Sequence, residues 1–192
     1  MRSLRLEGKF AVLEEISPKY FQQVIDWRND KNLNKFLNQP FELTLELEKK
    51  WYENYLRDET QGLMIILDKA TNTPIGTTGW TDFDAENRRC ICGRLLLGRK
   101  DFAGSPAFIE RVFLLGDFLY HFVDVEFIHV VKKNRRALHI NKILGFVPNT
   151  GEIQYPRELF VNGMEQIELY RTKEMFLEIR RKFDRLGDAL FT

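Results

Sequence analysis

Apolar residues recur along this chain with periods near two and near three and a half, and the switches between them predict its elements. Residues 6–14 alternate as a first strand. Ser17-Pro18 reads as a helix start, a capping hydroxyl followed by proline at the first helical position. Phe21, Val24, Ile25 and Trp27 give that helix its apolar positions to about Arg28. Thr44 opens a second helix over 45–57, with Leu47, Trp51, Tyr55 and Leu56 inward. Residues 63–67 form a short apolar strand, and a turn-rich link over 68–73 leads to a long hairpin of 75–83 and 88–97. A strongly apolar helix follows from Pro106 to about Val123, then a strand at 126–131 and a helix at 135–144 that stops at Gly145, a good glycine for the position after a helix. Strands at 159–161 and 166–171 close around the turn dipeptide Asn162-Gly163. Residues 172–186 form an amphipathic helix with Met175, Phe176, Ile179, Phe183 and Leu186 on one side. The order β-α-α-β-β-β-α-β-α-β-β predicts an α/β fold with a mixed sheet and helices on both faces.

The chain's 192 residues suit one domain able to bury its own core. Its 29 basic and 28 acidic residues leave a net charge of +1, which gives no basic surface for nucleic acid and no polybasic membrane signal. The most apolar run, 102–125, is broken by Gly116, Asp117, His121 and Asp124, too often for a membrane span. The two cysteines, Cys90 and Cys92, share one face of a strand and are too close in sequence to pair well. No further Cys or close His pair completes a metal site, so no metal is expected. Free thiols and a start without a signal-peptide core point to the cytoplasm.

Two stretches carry candidate chemistry. In the first, Gly104 frees the backbone, Ser105 caps a helix and Pro106 takes its first position. Free amides at such a start can bind phosphate, with Arg99 and Lys100 adding charge, although an ordinary capped helix has the same pattern. In the second, Asn134 caps a helix beside Lys132, Lys133, Arg135 and Arg136, a cluster that suits either a phosphate or a solvated face.

Asn134, Ala137, Gly145 and Phe146 fit the pattern N-x-x-[AS]-x7-G-F. Trp27-Arg28-Asn29-Asp30, Pro74-Ile75-Gly76 and Phe160-Val161-Asn162-Gly163 lie at matching places around it. Over residues 6–171 the chain thus resembles the GNAT N-acetyltransferases, most closely the amino-sugar and ribosomal-protein-type branch. The resemblance implies a GNAT domain over 1–171, a C-terminal helical extension over 172–192, and a mostly antiparallel sheet in which two parallel strands, 88–97 and 126–131, splay apart. It implies acetyl-CoA as cosubstrate, its pantetheine arm paired with the backbone at Leu96, Leu97 and Gly98 and met by Asn134 and Ala137. The pyrophosphate would lie on the amides around Gly104, Ser105, Ala107 and Phe108, with Arg99 near.

The chain departs from the family where the chemistry should be strongest. The loop pattern [RQ]-x-x-G-x-[GA] becomes Ala103, Pro106 and Phe108 at its defining positions, and Pro106 removes an amide donor. Asn141 stands in place of the tyrosine that usually serves as general acid; an amide donates a hydrogen bond but supplies no proton. His129, on a strand lining the cleft, is the first candidate for the base, and a structural histidine facing the other way fits the same position. Asp82 and Asp84 could draw a proton through water or serve the hairpin turn. Trp27, Arg28 and Trp80 would shape the acceptor pocket, together with Asp82. The implied activity is acetyl transfer to a primary amine of a small molecule, such as a nucleotide-linked amino sugar. The alternatives are a GNAT-fold CoA-binding or scaffold protein without catalysis, and a protein N-terminal acetyltransferase. A homodimer is a further expectation.

Overall fold

Residues 4–15 fold back on themselves. Strands β1 (Arg5–Glu7) and β2 (Ala11–Glu15) pair through a tight turn in which the Gly8 amide donates to the Ala11 carbonyl. The single strand expected over 6–14 is therefore two, because Gly8-Lys9 breaks the alternation. The computed structural model describes residues 4–37, 39–151, 153, 160–161 and 163–190. Beyond the hairpin come helices α1 (Phe21–Asn29) and α2 (Leu45–Tyr55), then strands β3 (Gly62–Asp68), β4 (Thr73–Asp84) and β5 (Arg89–Leu97). Helix α3 (Pro106–Leu119), strand β6 (Val125–Val131) and helix α4 (Arg135–Ile143) follow. Strands β7 (Val147–Pro148), β8 (Phe160–Val161) and β9 (Met164–Thr172) and helix α5 (Lys173–Leu190) complete the chain.

The strands form one sheet ordered β1-β2-β3-β4-β5-β6-β9-β7, with β8 paired to β9 off this path. Every pairing is antiparallel except that of β5 with β6. This mixed α/β sheet with helices on both faces is the expected architecture. The turn between β8 and β9 holds Gly163 at φ +70°, while Asn162 lies outside the described residues.

Alternation along each strand divides the core in two. Val12, Leu63, Ile65 and Leu67 pack with Val24 and Ile25 of α1 and Tyr55 of α2. Leu13, Met64, Ile66, Cys90, Ile128 and Val130 face the other way, toward α3 and α5. On α2 the buried stripe is Glu48, Trp51, Tyr52 and Tyr55, whereas Leu47 is 43% exposed and Leu56 42%. The expected inward set of Leu47, Trp51, Tyr55 and Leu56 is thus half wrong: Trp51 and Tyr55 fit two overlapping stripes, and aromatic stacking on α1 and within α2 selects the one containing Glu48. Phe21 meets Tyr52 edge-on at 5.1 Å, and Trp51 stacks on Tyr55 at 5.0 Å.

Helix α5, expected as an extension, contributes to the main core. Phe176 is 1% exposed, stacks on Tyr120 at 4.8 Å and packs where Gly116 leaves room on α3. Beneath it lies a buried polar knot. Glu126 Oε1 accepts from Arg171 Nε at 2.7 Å and from the Tyr120 hydroxyl at 2.8 Å, and Cys92 Sγ lies 2.7 Å from Glu126 Oε2. Burial works against the Arg171 charge, and Glu126 more than offsets it, so the guanidinium holds its proton above its ordinary range. Hydrogen bonding with Cys90, then burial and the nearby Glu126, push the Cys92 thiol well up, which keeps it neutral. Cys90 and Cys92 are both free and buried.

Candidate active site

Strands β5 and β6 begin as neighbours and then part. They pair at Arg89 with Val125, Cys90 with Glu126 and Ile91 with Phe127, and residues 92–97 have no counterpart on β6. The cause is local. On β4, Thr77 pairs with Leu96 but Gly79 with Gly93, so β5 carries an extra residue there. Arg94 takes φ +51° in this bulge, and its carbonyl accepts from Thr77 Oγ1 at 2.7 Å. A bulge of this kind bends its strand, here away from β6. Residues 128–131 of β6 remain fully paired with β9 on the other side. The gap therefore presents two facing strand edges, a shape that takes an extended polar chain as an added strand.

The gap's rim on β5 ends at buried Leu96, half-buried Leu97 and Gly98. A β-carbon at Gly98 would overlap the indole of Trp27, and the amides of Gly98 and Arg99 both donate to Ile75 O. Next comes the start of α3. Gly104, at φ +80°, turns the chain; Ser105 Oγ accepts from the Phe108 amide at 3.2 Å, a cap that contributes about 1 kcal/mol. The Ser105 and Ile109 amides are taken by Phe102 O and Ser105 O, and Pro106 has none. Between residues 103 and 109 this leaves the amides of Gly104 and Ala107 with no protein acceptor among the described residues. Arg99 forks onto Asp101 at 3.0 and 2.7 Å. Phe108 lies beneath Arg111, whose guanidinium is 3.8 Å from its ring centroid and donates to its carbonyl. Arg111 is 6% exposed and meets no carboxylate among the described residues; burial pulls its pKa down to about 9.

On β6, His129 points to the face opposite Cys90 and Ile128. Its Nε2 lies 2.7 Å from Glu168 Oε2, directly across the ladder on β9. Glu168 Oε1 accepts from Asn149 Nδ2 at 2.7 Å. An ionised carboxylate only accepts, so a ring bonded to it donates through Nε2. Both side chains are about nine-tenths buried, at 11% and 9% exposure. Sequence reading missed Glu168, because pairing of 129 with 168 depends on a register it does not reveal.

The remaining expected residues divide. Asn134 Oδ1 accepts from the Ala137 amide at 3.2 Å, capping α4. Asn141 Nδ2 donates to Ala137 O at 2.9 Å, within its own helix. Lys132 is paired with Glu165 at 2.8 Å. Trp80 does not join Trp27 and Arg28: it packs on Phe118 of α3, at 5.7 Å, on the opposite face of the sheet. Asp82 lies at φ +54° near the end of β4. Asp84 serves the hairpin turn, where the Asn87 backbone and side chain hold its carboxyl below the usual range.

Three charged groups gather on the α1/α2 face. Arg28 Nε donates to Gln39 Oε1 at 2.6 Å. Arg94 leaves the bulge toward Trp51, 5.6 Å from its ring centroid, and donates to Gln61 Oε1. Glu48, 4% exposed, stands between these elements on α2. Burial raises the Glu48 pKa, partly countered by Arg28 and Arg94; burial lowers those of both arginines. Glu48 was missed because it interrupts an apolar stripe; its place at the fourth residue after the Thr44 cap, in line with Trp51, Tyr52 and Tyr55, was the available signal.

No protein-family model matches this sequence, and no curated protein does. Solved structures share its fold. A GCN5-related N-acetyltransferase from Brucella melitensis superposes with a TM-score of 0.78 at 13% identity, over 96% of this chain and 86% of that one. FdhC, a nucleotide-linked sugar GNAT, gives 0.76 at 18%, over 96% and 98%. The spermidine N-acetyltransferase of Vibrio cholerae, solved with CoA and spermine, gives 0.72 at 16%, over 88% and 99%. The chain thus has the GNAT fold. Among the described residues, no three His, Cys, Asp or Glu side chains gather as metal ligands, and no helix is long and apolar enough to cross a membrane.

Proposed function

We propose that the protein transfers an acetyl group from acetyl-CoA to a primary amine of a small molecule. The observation that carries this is the gap between β5 and β6, open beyond Ile91 and Phe127, with the start of α3 beyond the end of β5. The edges at 92–97 and 128–131 would hold the pantetheine arm, and the Gly104 and Ala107 amides the pyrophosphate. Bound acetyl-CoA supplies an activated acyl carbonyl.

The chain's own residues do the rest. Glu168 fixes the His129 ring and its tautomer, and Nδ1 takes a proton from the acceptor's ammonium. The neutral amine then forms the C–N bond as the C–S bond breaks, and the proton the nitrogen sheds passes through water to the departing thiolate. Holding both reactants along one gap supplies much of the rate. The acceptor enters on the α1/α2 face, where Arg28, Arg94 and Glu48 lie, and an amino sugar carrying a nucleotide is one acceptor of suitable charge.

Two amides where a glycine-rich start would offer more favour a second reading, a CoA-binding protein of this fold without catalysis. Thiol release from acetyl-CoA separates the two. Release that depends on an added primary amine, and falls with His129→Ala, is expected of the enzyme. Binding of acetyl-CoA with no release across a broad amine panel would leave the regulator.

A further inference from the structure

Arg28, Arg94 and Glu48 lie near enough to influence one another's charge without forming a close ion pair. An arginine in a buried ion pair often forks onto a carboxylate through two parallel bonds. Here neither arginine forms an ion pair with Glu48 within 4.0 Å, and each guanidinium is tethered instead by a neutral amide oxygen, Gln39 or Gln61. A guanidinium has five donors. Each of these uses one, so four on each have no protein acceptor among the described residues, and Glu48 accepts nothing there.

Their position ties them to the gap. Arg94 projects from the bulge on the stretch of β5 that has left β6. Arg28 follows Trp27, which covers Gly98 at the end of that stretch. The two cations are near enough for Arg28 to disfavour charge on Arg94, an influence that outranks those of Asp58 and Asp82; Tyr55 acts on Arg94 as well. Arg28 thus has Glu48 near it, and Arg94 has Asp58 and Asp82 near it as well.

We infer that Arg28 and Arg94 are the receptor for an oxyanion, a phosphate or a carboxylate, carried by the amine that accepts the acyl group. The inference rests on the acyltransferase reading above and narrows it to acidic amines. Two planar guanidiniums present fork geometry to such a group. Glu48 on the Arg28 side, and Asp58 and Asp82 on the Arg94 side, are the counter-charges that keep the two cations in place before substrate arrives. Neutral amines would leave the arginines' donors unmet, and polycations would meet repulsion.

Calorimetry tests this with two matched pairs: glucosamine 6-phosphate against glucosamine, and 4-aminobutanoate against 4-aminobutanol, with spermidine as the cationic contrast. CoA is titrated first, and the amines are then added to CoA-saturated and to CoA-free protein. A protein that takes no CoA counts against the acyltransferase reading, while the amines still report on the arginines. At least one acidic member should bind about tenfold or more tightly than its neutral partner. Which pair shows it distinguishes phosphate from carboxylate. Arg94→Gln should erase the difference and Arg94→Lys keep part of it. Equal binding within both pairs, no heat from either acid at millimolar concentration, or tighter binding of spermidine that Arg94→Gln strengthens would overturn the inference, the last by assigning the cluster to Glu48.

Discussion

The indole of Trp27 occupies the space where any other residue at position 98 would place its β-carbon. Helix α1 and the end of β5 are locked together by this contact, and Trp27, 6% exposed, has no room to retreat. Gly98→Ala should cost about 1–3 kcal/mol by overpacking. Urea denaturation measures it, and an unchanged midpoint would mean that α1 is free to shift.

Gly93, on the same strand, behaves in the opposite way. A β-carbon there meets nothing within 4 Å, and its φ is not positive. Gly93→Leu should change stability by less than about 1 kcal/mol yet abolish amine-dependent thiol release, because the new side chain enters the space beside the gap. Full activity in a stable Gly93→Leu protein would place the reaction elsewhere.

His129 and Glu168 should act as a unit. His129→Ala is expected to lower kcat/KM by about 10²-fold or more. Glu168→Gln should lower it less, and adding it to His129→Ala should cost little further. Additive losses would mean that the two do not work through one hydrogen bond.

Arg171 and Glu126 tie β9 to β6 beneath α5. Arg171→Met leaves a buried carboxylate unpaired and should cost about 3–5 kcal/mol. A cost below about 1 kcal/mol, read by denaturation, would show that water reaches Glu126.

Arg111 makes the reverse prediction. Its pKa in the fold, about 9, lies below that of a free arginine, so the folded state disfavours its charge. Below pH 9 the group opposes folding in full, and stability rises as pH climbs through 9. Arg111→Met should therefore be more stable than the parent by about 1–4 kcal/mol at pH 7, and this gain should shrink as pH rises above about 9. A loss of stability at pH 7 would mean that contact with the Phe108 ring outweighs burial.

Much of the fold was legible because it follows local periodicity. Ser105-Pro106 marks the start of α3 and Gly145 the end of α4, and each does so through backbone rules that hold in any context. The gap was legible only through resemblance, since the bulge at Arg94 leaves no mark in the alternation of β5. What was hidden depends on register and on facing helices. His129 finds Glu168 only once β6 and β9 are aligned, and Glu48 reads as a surface residue until Trp51 and Tyr52 turn its stripe inward. Trp80 was hidden differently: an aromatic on a central strand suits either face, and Phe118 decides which.

The gap between β5 and β6 is tested most directly by calorimetric titration of acetyl-CoA into the full chain. A thioester site there predicts one equivalent bound with a dissociation constant below about 1 mM, weakened when Gly104→Val strains the turn beside the two open amides. No heat at millimolar acetyl-CoA, or binding that Gly104→Val leaves untouched, would contradict it.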